Sequence, residues 1–179
     1  PRLSRRRIVL ALVLLGGACI ILTAGWFFWR VPPPPAVDLG GVDPAIVQAI
    51  DAARADLLAA PRSPIAWGRL GMLLRAHDFG TQANICFAQA ERLDPTDPRW
   101  PYLHGLTLVL ADRAAAIPLL ERAVERCGNN PAPRLRLAEV LFLQGRLDDA
   151  DGHFRSVLNG DPGNPLAHLG LARLAHVRG

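Results

Sequence analysis

The sequence predicts an all-α fold, a solenoid of about three and a half helical hairpins preceded by one membrane-spanning helix. Three observations predict it. Small and bulky apolar residues recur at helical spacing from Pro64 onward, and the whole pattern recurs roughly every 34 residues. Proline, glycine and capping residues fall where helices would start, turn and stop. No alternating run of β-branched residues, the mark of a strand, follows residue 31.

The first element is the apolar stretch Ile8–Trp29, about 22 residues without a charge. As a helix it spans roughly 33 Å, enough for a bilayer core. Arg2, Arg5, Arg6 and Arg7 precede it, and Arg30 follows. That bias predicts a cytoplasmic N-terminus and places everything after the anchor outside the cytoplasm, in a bacterial periplasm. Trp26, Phe27, Phe28 and Trp29 suit the outer membrane–water boundary. The run is longer than a signal-peptide core and ends in aromatics, not in a small-residue cleavage site, so an uncleaved anchor is expected. Ser4-Arg5-Arg6-Arg7 loosely resembles a twin-arginine export signal, and Cys19 a lipidation site. A topology-fixing basic flank and a cysteine buried in the membrane account for both.

Residues 1–31 are thus expected to be basic flank and anchor, and 32–43 a linker. Pro32–Pro35 favours a stiff polyproline II rod, and Gly40-Gly41 a pivot. Residues 44–62 should hold one helix, because Ile46, Ile50, Ala53, Leu57 and Leu58 recur at helical spacing. Asp43 would cap it and Pro44 would take its first position. It is expected to cover the array that follows, at 64–179.

The array rests on eight positions: Trp67, Leu70, Gly71, Leu74, Ala83, Phe87, Ala90 and Pro95. This spacing resembles the tetratricopeptide repeat, a helix–turn–helix unit of about 34 residues, with Leu74 in the aromatic place. A second good copy has Leu137, Ala138, Leu141, Gly145, Ala150, Phe154 and Pro162, with Arg134 for the Trp and Val157 for an Ala. A divergent copy between them keeps Gly105, Ala116, Leu120 and Ala123. The units then run 64–97, 98–130, 131–164 and, in part, 165–179. Small residues at these places let paired helices approach, and the bulky ones fill the gaps. Each deep Leu or Phe contributes about 1.5–3 kcal/mol by burial. One helix pair alone cannot offset about 1–2 kcal/mol of backbone entropy per ordered residue, so units must stack.

Pro64, Pro98 and Pro165 are expected in first turns; Asp94-Pro95, Asn130-Pro131 and Asp161-Pro162 at exits; Gly80 and Gly145 in the turns between paired helices. Pro118 falls inside a helix, within or just past its first turn if Ala114 or Ala115 opens it.

The chain has a formal net charge of +4, and all 20 of its basic residues are Arg. Five of these lie at or before Arg30, whereas all 16 acidic residues lie after it. The array is therefore close to neutral, and nucleic acid, which needs a net basic face, is not an expected partner. Arg69, Arg75, Arg92, Arg99, Arg122 and Arg126 read as solvated or ion-paired helix surface. Cys19, Cys86 and Cys127 show no C-x-x-C or zinc spacing, and a Cys86–Cys127 bridge is disfavoured by their axial offset of about 12 Å. His77, His104, His153, His168 and His176 are scattered. Asp148-Asp149-Ala150-Asp151 suits the acidic start of a helix. No nucleophile elbow, phosphate loop or metalloprotease motif occurs, so catalysis, a metal, a cofactor and a small-molecule substrate are all unexpected.

The resemblance implies that the first helix of each unit lines a protein-binding groove. By phase its residues are Gly68, Met72, Arg75, Tyr102, Leu106, Val109, Leu135, Glu139 and Phe142, a largely apolar set. The resemblance thus points to a membrane-anchored scaffold for protein–protein interaction or complex assembly. A periplasmic chaperone for unfolded clients, as in cytochrome c maturation, and a non-catalytic piece of a larger enzyme are the alternatives. Leu166, Leu169, Leu171, Leu174 and Val177 make the last helix apolar enough to need a cover.

Overall fold

The structure, a computed structural model, describes residues 31–179. The expected anchor at Ile8–Trp29 lies outside the described residues. Among the described residues no helix is long and apolar enough to cross a membrane. Residues 34–179 form one packed unit of eight helices without strands. They are α1 (Pro44–Ala59), α2 (Pro64–Ala76), α3 (Gly80–Leu93), α4 (Arg99–Leu108), α5 (Arg113–Arg126), α6 (Pro131–Leu143), α7 (Leu147–Gly160) and α8 (Pro165–Arg178).

Helix starts follow from capping chemistry. The side chains of Asp43, Ser63, Asn130 and Asn164 accept backbone N–H bonds at 2.7, 3.2, 3.0 and 3.1 Å, each followed by a proline in the first turn. A capping oxygen satisfies an orphan donor, and proline there forfeits no helical bond. Asn130-Pro131, expected at an exit, therefore opens α6, in the same polar-then-proline order as Ser63-Pro64. Pro98 stands one position before α4 as its N-cap residue.

Two of the turns between paired helices share one geometry. Phe79 N–H donates to Leu74 O, and Arg146 N–H to Leu141 O, both at 2.9 Å. The left-handed residue is Gly145 (φ 75°) in one turn and Asp78 (φ 65°) in the other. Asp tolerates that region because its short polar side chain can bond locally. Gly80, expected in the turn, is instead the first residue of α3.

The middle pair departs most from the others. Its first helix, α4, has only 10 residues. Asp112 caps α5 through Ala115 N–H at 3.0 Å, so that helix opens at Arg113, earlier than expected. Pro118 then lies deeper than the first turn and removes a hydrogen bond to the Ala114 carbonyl.

Each helix packs on the next one in sequence; beyond that, α2 meets α4 and α6 meets α8. First helices thus approach one another while second helices stay farther apart. The array curves with its first helices inside. The core runs along the pairs: Trp67, Leu70, Ala83, Phe87, Ala90, Ala116, Leu120, Ala123, Leu137, Ala138, Ala150 and Phe154 are all buried. Gly68 lies under the Trp100 ring and Gly170 under the Phe154 ring, close enough that a Cβ would meet ring carbons at 2.1 and 2.4 Å. On the outer side, Glu91 of α3 binds Arg122 Nε and Arg126 Nη1 of α5, each at 2.9 Å. Burial opposes ionisation of Glu91. The hydrogen bonds from Arg122 and Arg126 outweigh it and hold the carboxyl below its usual value.

The segment before α1 is not a free spacer. Pro35 is buried, and its carbonyl accepts from Arg54 Nη2 at 2.6 Å. Gly40-Gly41 form a turn closed by Val42 N–H on Leu39 O at 3.2 Å, with Gly41 at φ 78°. Trp67 Nε1 donates to Pro61 O at 2.9 Å, which ties the α1–α2 connection to the core.

Candidate protein-binding groove

Three first helices build one cleft of about 210 Å³. Tyr102 of α4 forms one wall, Leu135, Arg136 and Glu139 of α6 the middle, and Leu166, Leu169 and Arg173 of α8 the other wall. Periodicity explains the set. Leu166, Leu169, Gly170 and Arg173 follow one stripe of α8, while Ala167 and Leu174 face the core. Leu166 and Leu169 remain 59% and 56% exposed, so the cleft presents apolar surface to solvent. A second, wider groove of about 780 Å³ lies between α1 and α2, floored by alanines of α1 with Ile65, Arg69 and Met72 above.

The charges at the first cleft are unevenly satisfied. Arg136 Nη1 meets Glu139 Oε2 at 2.6 Å, an i,i+3 pair with both side chains about 40% exposed. Arg173 sits on α8 with its guanidinium 4.6 Å from the centre of the Phe142 ring, a cation–π contact. That contact leaves the donor edge of Arg173 without a carboxylate among the described residues. Two cations and one carboxylate give the rim a net positive charge.

The residues singled out by phase do not all arrive at one place. Tyr102, Leu135 and Glu139 line the first cleft and Met72 the second. Phe142 is half-buried beneath Arg173. Leu106 is half-buried on α4, and Arg75 is exposed at the end of α2; neither is among the residues lining these two clefts. Val109 belongs to the core, because it continues the helical backbone, its N–H donating to Gly105 O at 3.1 Å, and so lies on the same face of α4 as the buried Gly105. Gly68 is core as well, covered by Trp100.

Sequence reasoning missed Ala132, Arg136, Leu166, Leu169 and Arg173. A signal for Arg173 existed. Counted from Pro64, Pro131 and Pro165, Met72, Glu139 and Arg173 all stand eight positions into their helices. Carrying the phase into the partial fourth unit would have found it.

Chemistry elsewhere is sparse. Among the described residues no group of His, Cys, Asp and Glu side chains is arranged to hold a metal ion. Cys86 is a free, buried thiol, raised by burial to about 12 although the Arg54 charge opposes this; Cys127 is free and partly exposed. Burial also lowers His104 and His153 below the usual imidazole value. The acidic start of α7 is engaged in ion pairs: Asp149 with Arg146, Asp151 with Arg155, and Asp148 with Arg178.

Paired helices stacked by neighbour contacts, with an apolar cleft along their inner helices, define the class: a helical-repeat solenoid. A family model described as tetratricopeptide repeat matches residues 111–152. Residues 111–152 thus match the tetratricopeptide repeat, and the helix pairs on either side share its fold. Solved structures of similar fold include MamA, with a TM-score of 0.69 and 21% identity over 80% of this chain and 86% of that one. Another is YrrB, described as having an unusual peptide-binding site, with a TM-score of 0.65 and 25% identity over 78% of this chain and 72% of that one. The first such domain of Spaghetti, bound to an HSP90 peptide, gives a TM-score of 0.60 and 19% identity over 64% of this chain and 92% of that one. In sequence, 126 residues are 30% identical to cellulose synthase 1 operon protein C of Komagataeibacter xylinus. That match spans 63% of this chain but only 9% of the relative's length.

Proposed function

We propose that this protein is a membrane-anchored, non-catalytic scaffold that captures a protein partner on the extracytoplasmic side of the membrane. One observation carries the capture role: the cleft of Tyr102, Leu135, Leu166 and Leu169 leaves bulky apolar side chains open on the inner face of the array. Exposed apolar surface rimmed by polar groups is a common mark of an interaction site. The fold shared with YrrB and with the peptide-bound domain of Spaghetti supports a polypeptide as the occupant. The anchor and its orientation rest on the charge-free run Ile8–Trp29 and the arginines before it.

The experiment is chemical crosslinking in native membranes with the full chain, against a Met72→Ser/Leu166→Ser/Leu169→Ser variant. These three side chains are 46%, 59% and 56% exposed, so their replacement leaves the core intact. A discrete partner, lost in the variant, is the expected result. A spread of unfolded clients would assign a chaperone instead. Identical capture by both proteins would remove the groove from the account. Full extraction of the chain by carbonate washing would remove the anchor.

A further inference from the structure

We infer that the wide groove between α1 and α2 has the geometry of a first-helix seat, and that it takes an amphipathic α-helix of another polypeptide, with two bulky apolar side chains on one face and a basic and an acidic side chain beside them. The site is separate from the cleft that carries the capture role and stands without it. The array itself supplies the geometry. A Cβ on Gly71 of α2 would meet Phe87 and Cys86 of α3 at 2.8 and 3.0 Å, and one on Gly68 would meet Trp100 of α4. Cys86, Phe87 and Trp100 are thus the residues that α3 and α4 turn toward a first helix. Ala52, Ala53 and Ala66 stand 34 positions before them, one repeat earlier, and all three line the groove. Among the described residues no first helix precedes α1. The segment ahead of α1 is extended, is held by Arg54, and contributes nothing to the lining.

Bulk and charge identify the occupant. The groove holds about 780 Å³, and Ile65 and Met72 on its α2 side are 45% and 46% exposed. Where α3 and α4 bring Phe87 and Trp100, α1 and α2 bring alanines. The bulk that closes the gap therefore comes from the incoming helix, one large side chain against Ala53 and one against Ala66. Asp56, in the last turn of α1, and Arg69, in the second turn of α2, also line the groove, and neither is in an ion pair among the described residues. A helix lying between them completes both pairs, with a basic residue on the α1 side and an acidic one on the α2 side. A segment of one sign would meet a like charge at either Asp56 or Arg69, so a mixed-charge helix is favoured.

The test is a selection, on the immobilised full chain, of displayed helical peptides the length of α1, 16 residues, randomised on one face. The winners are then synthesised and titrated. The expected winners carry two bulky apolar residues on that face, flanked by Lys or Arg and by Asp or Glu. Ala53→Phe fills the groove as Phe87 fills its own pair and should weaken binding about tenfold or more. Asp56→Arg should weaken it about fivefold, the scale of one exposed ion pair. Exchanging the peptide's basic residue for Asp should restore that loss, a recovery that disturbed packing would not give. Circular dichroism of both variants checks the fold, and Leu166→Ser/Leu169→Ser, in the other cleft, should leave binding unchanged. No enrichment, winners bound equally by Ala53→Phe, or no recovery on charge exchange would overturn the inference. Self-association of the chain that Ala53→Phe abolishes would also overturn it, because the seat would then belong to a second copy. A membrane partner lost on Leu166→Ser/Leu169→Ser while no helix enriches would overturn this inference alone and leave the scaffold role standing.

Discussion

Replacing Gly68 by alanine tests the packing of the first two units more sharply than any large truncation. In an ordinary helix interior this change stabilises by roughly 1 kcal/mol, because glycine has more backbone entropy to lose. At Gly68 the new Cβ would stand 2.1 Å from Trp100 Cζ3 and 2.5 Å from Cη2. Trp100 is only 2% exposed, so its ring has little room to retreat. Its indole N–H has no hydrogen-bond partner among the described residues, so packing, with the Arg99 guanidinium 4.8 Å from the ring centre, fixes the ring. Overpacking costs about 1–3 kcal/mol, an overlap this deep belongs in the upper part of that range at about 2–3, and the propensity gain returns roughly 1. The net expectation is a destabilisation of about 1–2 kcal/mol. Gly152 supplies the control, since nothing lies within 4 Å of the Cβ that alanine would add there. Gly152→Ala should stabilise by about 0.5–1 kcal/mol. The assay is urea unfolding followed by circular dichroism at neutral pH. Adding Trp100→Phe to Gly68→Ala should recover part of the loss, because the smaller ring vacates the contested space. A Gly68→Ala protein as stable as the parent, or two glycine variants shifting in the same direction, would refute the close approach of α2 and α4.

Further expectations follow from other side chains. Glu91→Gln should cost about 1–2 kcal/mol at pH 7, the scale of hydrogen bonds to a charged group discounted for partly exposed arginines. The folded carboxyl is held below its unfolded value, so its contribution is complete above the unfolded value and disappears as pH falls through the folded one. Parent and variant unfolding curves should therefore converge as the solution is acidified, and a gap that did not change with pH would exclude the carboxylate as its source. With Cys19→Ser in place, Cys127 should react with a thiol reagent at pH 8 while Cys86 stays protected until urea unfolds the array; equal rates would contradict its burial. Asn164→Ala should lose about 1–2 kcal/mol, because Asn164 is 9% exposed, caps α8 through Ala167 N–H and also donates to Asp161. A Tm unchanged by that substitution would show that α8 docks without its cap.

Legibility in the sequence followed the range of the forces involved. Helix starts at Ser63-Pro64 and Asn164-Pro165 depend on neighbours three residues away, and the residue order alone reveals them. The core at Trp67, Leu70, Phe87, Leu137 and Phe154 declares itself through repetition, since each unit solves the same packing problem. Asn130-Pro131 opens a helix as Asp43-Pro44 does, whereas Asp94-Pro95 and Asp161-Pro162 close one, and only the capping bond, here to Ala132, separates the two uses. The groove was less legible. Val109 and Gly68 share a phase with true groove residues, but one lies a helical turn after the buried Gly105 and joins its core face, and the other is claimed by Trp100. Whether a position on the inner face is floor or core depends on a neighbouring helix from another unit, and periodicity carries no such information. Arg173 shows the reverse: its phase was right, but the partial unit around it had not been read as part of the groove.

The Glu91 tie has a mechanical consequence. It joins α3 to α5 across the outer face, where the second helices otherwise stand apart. Curling the array more tightly would lengthen that outer path and stretch the tie, whereas straightening would slacken it. Three side chains on the back of the first seam therefore set a minimum radius of curvature. How far this part of the array can close is governed from the side opposite the inner cleft.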